Sequence, residues 1–446
     1  MNFLSAFRTT FARAAAPALL LATILPAHAE VEFQQITSDQ GIKAWLVEDY
    51  SVPIVTIRFA LDGGAAQDPE GKEGLADLMT TLFDEGAGTL ESEPFQIALD
   101  EAGAEMRFGS DNDAIFGTMR LLADERDAAL DLLKLAVQEP RFDQDPIDRM
   151  RAQLLAGLAA DAQNPATAAQ KLWNEALFGT HPYARPSEGT PETLKAITAE
   201  DLRAGYDAMF ARNNLHVAIV GAITAEDAAK VLDDVFGSLP AEADLKPVPD
   251  IVPAIGQDLA VNYPLPQTSI FMAYPGVGLD DPDFFAARVM NEILGGGGMT
   301  SRLFTEVREK RGLTYGVSTG LTNLRHSSTY MLSTSTRADR AGETLSVIEE
   351  VIAKLAEEGP TEAELEAAKK YLIGSAALNE LSSSSAIAGT LVGLQIWGLD
   401  IDYLSRRTEL TNAVTAEDVK AVAQKLLTQK PAIMLLGPKA EAATTE

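Results

Sequence analysis

The sequence predicts an α+β protein with two homologous domains, each a mostly antiparallel sheet with helices packed on one face, joined by a Pro-rich linker. Three observations lead to this fold class. Landmarks along the 446-residue chain recur once, at offsets of 213 to 217 residues. Each copy mixes short apolar strands with long amphipathic helices. A stretch with four prolines separates the copies and resists helix or central-strand formation.

Three kinds of landmark occur in the same order in both halves: a helix-capping phrase, an apolar strand that ends in glycine, and an Asp-Pro step. The pairs are Ala196–Leu202 with Ala413–Val419, Val217–Gly221 with Ile433–Gly437, and Asp68-Pro69 with Asp281-Pro282. One such match could arise by chance, because T-A-E-D is a good capping sequence. Three matches at nearly one offset predict a duplicated domain of about 200 residues.

Periodicity and composition predict the elements inside each copy. The expected helices are Asp124–Val137, Pro146–Asp161, Thr167–Phe178, Asp283–Leu294 and Thr361–Leu378. The expected strands are Ile54–Leu61, Ile115–Leu121, Val217–Val220, Ser269–Tyr274 and Tyr330–Thr334. Their spacing fits hairpin and meander connections better than strict βαβ alternation, which favours antiparallel sheets.

The N-terminal 29 residues have the pattern of a secretory signal peptide. Arg8 and Arg13 make the start positive, the apolar run Ala14–Leu25 is short for a bilayer span, and Ala27-His28-Ala29 forms an A-x-A-type cleavage site. We expect cleavage after Ala29, a periplasmic location and no membrane span after signal removal; a membrane anchor is the weaker alternative. The predicted boundaries are therefore signal peptide 1–29, N-terminal domain 30–238, linker 239–257 and C-terminal domain 258–446.

Composition excludes several classes of function. The chain has no cysteine, which rules out disulfides, thiol catalysis and cysteine-based metal sites. Its formal net charge is −29, from 65 acidic and 36 basic residues. Such an acidic surface repels phosphate backbones, so we expect no nucleic-acid partner.

A block in the second half carries a recognisable pattern. Four consecutive glycines, Gly295–Gly298, precede a helix-like stretch containing Arg308 and then the phrase Gly312-Leu-Thr-Tyr315 at the start of a strand. This block resembles the pitrilysin and mitochondrial-processing-peptidase family of zinc proteases, in which these three features occur together. The duplicated halves, the Pro-rich linker and the segment 182–221 are similar to that family too, so the resemblance covers essentially the whole chain after residue 29.

The resemblance also identifies missing catalytic groups. The catalytic half in the family carries H-x-x-E-H on an early helix, within G-x-A-H-x-x-E-H-x-x-F-x-G-T. The matching phrase here begins at Gly74; it places Asp77 and Thr81 at the two His positions and Thr80 at the Glu position. The best match to a third ligand, a later Glu, is Gly157.

These replacements argue against a zinc site in this chain. A hydrolytic zinc needs three N, S or carboxylate ligands and a water. Threonine is a poor ligand and a poor base, so we expect no zinc here and expect zinc in a partner subunit. His181, His216 and His326 are far apart in sequence, and they would form an alternative zinc site only if the fold clustered them.

Arg308 and Tyr315 are the predicted catalytic contribution. In the family, an Arg and a Tyr at this spacing lie in the half without zinc and reach across to the substrate. A guanidinium and a phenol can stabilise the oxyanion that develops on a scissile carbonyl. Two alternatives stay open: Arg308 pairs with Glu306 or Glu309 while Tyr315 packs in the strand, or Arg311 takes the functional role.

The resemblance therefore implies a non-catalytic subunit of an exported two-chain zinc metalloendopeptidase. It would supply Arg308 and Tyr315 to a homologous zinc-bearing subunit with H-x-x-E-H, around a peptide or an unfolded polypeptide. The alternative is a catalytically dead peptide-binding or assembly protein on a protease scaffold. A self-sufficient zinc protease is contradicted by Asp77, Thr80 and Thr81.

Overall fold

The computed structural model describes residues 32–439, so the predicted signal peptide lies outside the described residues. The elements of the first half are β1 (Gln34–Thr37), β2 (Lys43–Glu48), β3 (Ile54–Asp62), α1 (Leu75–Thr80), β4 (Gly86–Ala87), β5 (Leu90–Glu91), α2 (Ser92–Glu101), β6 (Glu105–Ser110), β7 (Ala114–Leu122), α3 (Arg126–Gln138), α4 (Gln144–Asp161), α5 (Pro165–Phe178), α6 (Pro191–Ala196), α7 (Ala199–Met209), β8 (Leu215–Gly221) and α8 (Ala225–Phe236).

The elements of the second half are β9 (Asp258–Asn262), β10 (Gln267–Pro275), α9 (Phe284–Asn291), β11 (Thr314–Leu324), β12 (Ser327–Arg337), α10 (Ala341–Glu358), α11 (Glu362–Glu380), α12 (Ser384–Ile396), α13 (Tyr403–Ala413), α14 (Ala416–Leu427) and β13 (Ala432–Gly437). Two π-helical segments, Glu292–Gly296 and Phe304–Glu309, lie between α9 and β11. The helices and strands predicted from periodicity are confirmed, with small shifts at their ends.

The two large sheets share one topology. The first has the strand order β1-β2-β8-β3-β7-β6, and the second has the order β9-β13-β10-β12-β11. In each sheet one neighbouring pair is parallel, β2 with β8 and β9 with β13, and the other pairs are antiparallel. Apart from β1, each strand of the first sheet has a counterpart at the same place in the second. The predicted fold class of two homologous α+β halves is confirmed.

Each sheet buries one face beneath its own helices. Along β3, Ile57, Phe59 and Leu61 are fully buried in the first core, which α3, α7 and α8 cover. Along β10, Ile270 and Met272 enter the second core, beneath α9, α10 and α14. The alternation of side chains along a strand leaves the other face of each sheet to be covered separately.

The halves exchange a helix to cover those second faces. Helix α5 of the first half packs against β9 and β13, where Trp173 and Leu177 meet Ala432 and Met434. Helix α12 of the second half packs against β3 and β8 of the first sheet. The Gln395 side chain of α12 bonds to both backbone groups of Val217, at 2.9 Å to the carbonyl and 3.2 Å from the N–H. This reciprocal exchange was not predicted from the sequence.

The predicted linker lies across both halves. It has no regular secondary structure, and several of its backbone groups form hydrogen bonds with residues outside the linker. Lys246 exchanges two hydrogen bonds with the Gln67 side chain, while the Ile251 N–H donates to the His326 carbonyl and the Ala254 N–H to the Leu177 carbonyl. The segment therefore connects the two halves by hydrogen bonds as well as by the chain itself.

Candidate functional site

Helix α1 carries the degenerate zinc motif and is held by a buried carboxylate. Asp68 accepts hydrogen bonds from the N–H groups of Gly74, Leu75 and Ala76, at 2.9, 3.1 and 3.0 Å. Burial raises the pKa of Asp68 to about 7, against the opposing effect of these N–H bonds. Gly74 has a φ of +90°, and a Cβ there would meet the Glu188 carbonyl oxygen at 2.8 Å. The start of α1 is thus fixed by local protein groups.

The motif positions of α1 offer little to a metal. The Thr80 hydroxyl donates to the Asp77 carbonyl at 2.8 Å, and the Thr81 hydroxyl donates to the Leu78 carbonyl at 2.7 Å. Both hydroxyls are therefore used inside the helix. Asp77 is half-buried, and burial together with the charge of Glu188 raises the pKa of its carboxyl. One carboxyl and two engaged hydroxyls do not fit a hydrolytic zinc ion.

The position matched to the third ligand adds no donor atom. Gly157 lies on α4, which packs against α1, and it is exposed. A Cβ built there meets no atom within 4 Å, so packing does not demand glycine at this position. Within residues 32–439 no group of three His, Asp or Glu side chains is placed to hold a metal ion.

The three described histidines each have a local partner. His181 Nε2 lies 2.8 Å from the Pro249 carbonyl oxygen, and His216 Nε2 lies 3.1 Å from Asp62 Oδ1. His326 Nδ1 lies 2.9 Å from Asp250 Oδ1. The rings of His181 and His326 both approach Tyr183, but no third ligand joins them. Among the described residues, the fold does not bring the three histidines into one group of possible metal ligands.

Arg308 lies on the second π-helical segment and is exposed. Its guanidinium lies over the Phe304 ring, 4.7 Å from the ring centre. Glu306, an expected partner, is instead bound by Lys310 and Arg311, each at 2.7 Å. No described carboxylate lies within ion-pair distance of Arg308. Arg308 therefore does not pair with a helix acid in this structure. Arg311 forms the ion pair with Glu306 instead.

Tyr315 lies in a β-bulge on an edge strand. The register between β11 and β12 shifts between Thr314 and Val317, so one extra residue sits on β11. The Thr314 hydroxyl lies 2.8 Å from the carbonyl oxygens of both Gly316 and Ser335, and the Thr334 hydroxyl lies 2.8 Å from the Gly316 carbonyl oxygen. Bulges of this kind redirect a side chain away from the sheet. The Tyr315 side chain is 87% exposed and is not packed in the strand.

A tight turn connects Arg308 to Tyr315. The Gly312 N–H donates to the Arg308 carbonyl at 2.9 Å, and the Leu313 N–H donates to the Val307 carbonyl at 3.0 Å. Val307 and Leu313 are buried, which anchors both sides of the turn. The two predicted site residues thus lie at the ends of one short, hydrogen-bonded connection.

Sequence reasoning missed Arg302, which anchors this region. Arg302 makes two hydrogen bonds to Glu364, at 2.7 and 2.8 Å, and one to the Gly359 carbonyl at 2.9 Å. These bonds from Arg302 lower the pKa of Glu364 to about 2. Glu364 also completes the capping box of α11 with Thr361. The S/T-x-x-E phrase at Thr361 was the signal that could have revealed an acid at this point.

Comparison with known proteins agrees with this geometry. Residues 44–191 match the family model described as insulinase (peptidase family M16), and residues 196–372 match the peptidase M16 inactive domain. A crystal structure of a peptidase M16 inactive domain from Pseudomonas fluorescens superimposes with a TM-score of 0.85 at 32% identity, over 92% of this chain and 99% of that one.

Two curated relatives carry contrasting names. An uncharacterized zinc protease of Streptomyces coelicolor is 26% identical over 84% of this chain and 83% of its own. The non-peptidase homolog YmxG of Helicobacter pylori is 25% identical over 83% of this chain and 86% of its own.

Duplicated α+β halves, the second of which matches a peptidase M16 inactive domain, define a protease-type scaffold. The chain belongs to peptidase family M16, the insulinase family, as its sequence pattern predicted. No helix within the described residues is both long and apolar enough to cross a membrane.

Proposed function

We propose that this protein is the non-catalytic subunit of an exported two-chain zinc metalloendopeptidase. One observation carries the proposal: Arg308 and Tyr315 are exposed at the ends of a hydrogen-bonded turn, while the described residues around the degenerate zinc motif form no metal-ligand group. A chain that has the Arg/Tyr pair but not the zinc ligands has half of a hydrolytic site. The relative named a non-peptidase homolog supports a non-catalytic role.

The chemistry of the pair suits a developing oxyanion. A phenol O–H and a guanidinium both donate hydrogen bonds, and neither side chain here has a hydrogen-bond partner within residues 32–439 that it would have to give up. Donors that are already in place stabilise charge that appears only in the transition state. The hydroxyl network around the bulge, from Thr314 and Thr334, keeps the Tyr315 backbone in position.

The remaining parts of the proposal concern partner and location. The zinc-bearing partner would be an H-x-x-E-H homologue, and the substrate would be a peptide or an unfolded polypeptide. The signal-like segment 1–29 supports export to the periplasm. A second candidate function, a protein that binds peptides or assembles complexes without any catalysis, predicts association without hydrolysis.

Association with the partner is the experiment that tests this proposal. The chain without residues 1–29 is mixed at micromolar concentration with the H-x-x-E-H homologue encoded in the same genome, and the mixture is run on size exclusion with light scattering. We expect a joint peak with the summed mass of the two chains. Two independent peaks would contradict the heteromer. A joint peak that hydrolyses no unstructured peptide would favour the second candidate.

A further inference from the structure

The face of the first sheet that α12 covers has an arginine-lined cavity that the proposed peptidase role does not use. The cavity has a volume of about 540 Å³ and opens beside the edge strand β6. The polar side chains from β3, β6, β7 and the first turn of α12 that line it include Arg58, Arg107, Arg120, Glu105, Thr118 and Ser385. Three guanidinium groups face one carboxylate in a chain whose net charge is −29.

The strand register brings these side chains to one face. Thr118 of β7 is directly opposite Arg58 of β3 on one side and Arg107 of β6 on the other. Arg120, two residues further along β7, therefore points to the same face. Arg58 Nη1 donates to the Thr118 hydroxyl at 3.1 Å, and its guanidinium lies 5.4 Å from the centre of the Phe116 ring. These contacts hold Arg58 in place without neutralising its charge.

The positive charge of the cavity is poorly compensated. Glu105 reaches Arg120 at 3.4 Å, but no described carboxylate lies within ion-pair distance of Arg58 or Arg107. The Nε atoms of Arg58 and Arg120 are buried without a described partner. Burial lowers the pKa of the Arg58 guanidinium. A charge withdrawn from water is ordinarily paired, so the half-buried Arg58 lacks a counter-anion, and the more exposed Arg107 and Arg120 add positive charge beside it.

Helix α12 adds its N-terminus to the same cavity. Ser383 caps the helix, and Ser384 bonds through its hydroxyl to the Thr56 hydroxyl at 3.0 Å. A Cβ at Gly389 of α12 would lie 3.9 Å from Arg58, so the helix runs close beside that side chain. The first N–H groups of a helix and its dipole attract negative charge, in the same direction as the three arginines.

We propose that Arg58, Arg107, Arg120 and the first turn of α12 form a binding site for an oxyanion, a carboxylate or phosphate group. The guanidinium forks match both groups through paired hydrogen bonds. Three arginines against one glutamate favour a ligand with two negative charges. The oxyanion can come from a free anion or from neighbouring acidic side chains of a peptide that lies along β6. The site does not depend on the proposed peptidase partnership.

Calorimetry at constant ionic strength tests this site with the chain that lacks residues 1–29. The probes are inorganic phosphate, an unstructured peptide with a Glu-Glu pair, and the same peptide with Gln-Gln. We expect phosphate, the Glu-Glu peptide or both to bind, and the Gln-Gln peptide not to bind. Binding of phosphate alone identifies a free anion as the source, and binding of the acidic peptide alone identifies peptide carboxylates.

Two variants of cavity residues and one control variant distinguish binding at this site from non-specific binding elsewhere on the protein. Arg107 is exposed and without a described partner, so Arg107→Gln should leave the melting temperature unchanged and weaken binding about tenfold or more. Arg58→Gln should weaken it as well. Arg337→Gln, which changes an exposed arginine at the end of β12, should bind as wild type does. Failure of phosphate and the Glu-Glu peptide to bind in the millimolar range, or binding unchanged in Arg107→Gln and Arg58→Gln, would overturn the site.

Discussion

Helix α1 contains Asp77 and Thr80, and Thr81 is its C-terminal cap. Asp68 satisfies three N–H groups at the start of α1, and the two threonine hydroxyls bond to carbonyls of the same helix. Protein groups rather than metal ligands thus hold this helix. The fold should therefore be indifferent to chelators.

The first prediction concerns zinc at these positions. The purified chain should hold no stoichiometric zinc after dialysis, and EDTA should leave its melting temperature unchanged. The triple change Asp77→His, Thr80→Glu and Thr81→His should still hydrolyse no peptide, because Gly157 supplies no third ligand. Metal analysis and a peptidase assay check both points. One tightly bound zinc per wild-type chain would contradict the account.

The second prediction concerns Tyr315. Tyr315→Phe removes one hydroxyl and little volume, so kcat of the assembled complex should fall on the order of 10² to 10³-fold, as for the loss of one oxyanion donor. The melting temperature should stay constant, because the side chain is 87% exposed. Steady-state kinetics and thermal unfolding of the same preparations check the two parts.

Matched arginine variants sharpen that prediction. Arg308→Lys keeps the charge but loses the planar fork, so it should also lower kcat. Arg311→Lys is the control and should be nearly silent, because Arg311 serves Glu306 in an exposed ion pair. Unchanged activity in Tyr315→Phe would show that the pair does not have the proposed role in catalysis.

At the scale of single residues, the sequence predicted site features that depend on one continuous motif, but not those that depend on contacts between residues distant in sequence. The missing zinc ligands could be read directly from one phrase. The bulge at Tyr315 depends on Thr334, nineteen residues further along the chain, and no local pattern predicts that pairing. The position of Arg308 over Phe304 was accessible in principle, since residues four apart are neighbours on an α-helix and remain close on this π-helical turn.

Helices α5 and α12 show what sequence patterns can and cannot specify for an element. The α5 helix was predicted nearly to its ends, but its packing on the opposite half was not. Helix α12 is apolar on nearly all sides, with Ile387, Leu391 and Val392 buried. A helix of this kind must be covered all round, which is a signal for burial between layers. The identity of the layers depends on tertiary contacts that periodicity does not encode.

The third prediction tests the helix exchange. Gln395→Ala removes the hydrogen bonds that join α12 to both backbone groups of Val217. The loss of these two hydrogen bonds should lower the free energy of unfolding by about 2 kcal/mol. Gln429→Ala is the control, because its side chain makes only an exposed bond to the Lys425 carbonyl, and its effect should be a few tenths of a kcal/mol. Urea unfolding measures both; equal effects would contradict the proposed importance of this contact.

The turn between β11 and β12 provides a second connection between the halves. Arg325 in this turn forms an ion pair with Asp62, which His216 also approaches at 3.1 Å. The Arg325 N–H donates to Asp113 Oδ2 at 3.0 Å. Burial alone would raise the pKa of Asp62, but the hydrogen bonds and charges of His216 and Arg325 outweigh burial and lower it.

The fourth prediction is a pH dependence at this junction. Because the folded pKa of Asp62 lies below its ordinary value of 3.8, its contribution to stability is present above pH 4 and is lost as pH falls through the folded pKa. The free energy of unfolding at pH 7 should therefore be higher for the wild type than for Asp62→Asn. This difference should shrink as the pH falls below about 4. Denaturant unfolding at several pH values measures it. A difference that grew on acidification would contradict the sign.

At the scale of the whole molecule, the duplication predicted from three landmarks appears as two sheets with one strand order. The parallel pair of strands recurs at the same place in each, and so does the exchanged helix. The sequence predicted the repeat because capping phrases and apolar strands are local. It did not predict that the linker bonds to both halves, since its partners Gln67, Leu177 and His326 are distant in sequence.

The central claim, a half-site that acts only with a zinc-bearing partner, is tested most directly by titration of activity. This chain is added to a fixed amount of the H-x-x-E-H homologue, and hydrolysis of an internally quenched unstructured peptide is followed. The account predicts no hydrolysis by this chain alone and a rate that rises to saturation at one chain per zinc subunit. Tyr315→Phe should saturate at the same ratio with a rate lower on the order of 10² to 10³-fold. A homologue equally active without this chain, or hydrolysis by this chain alone, would contradict it.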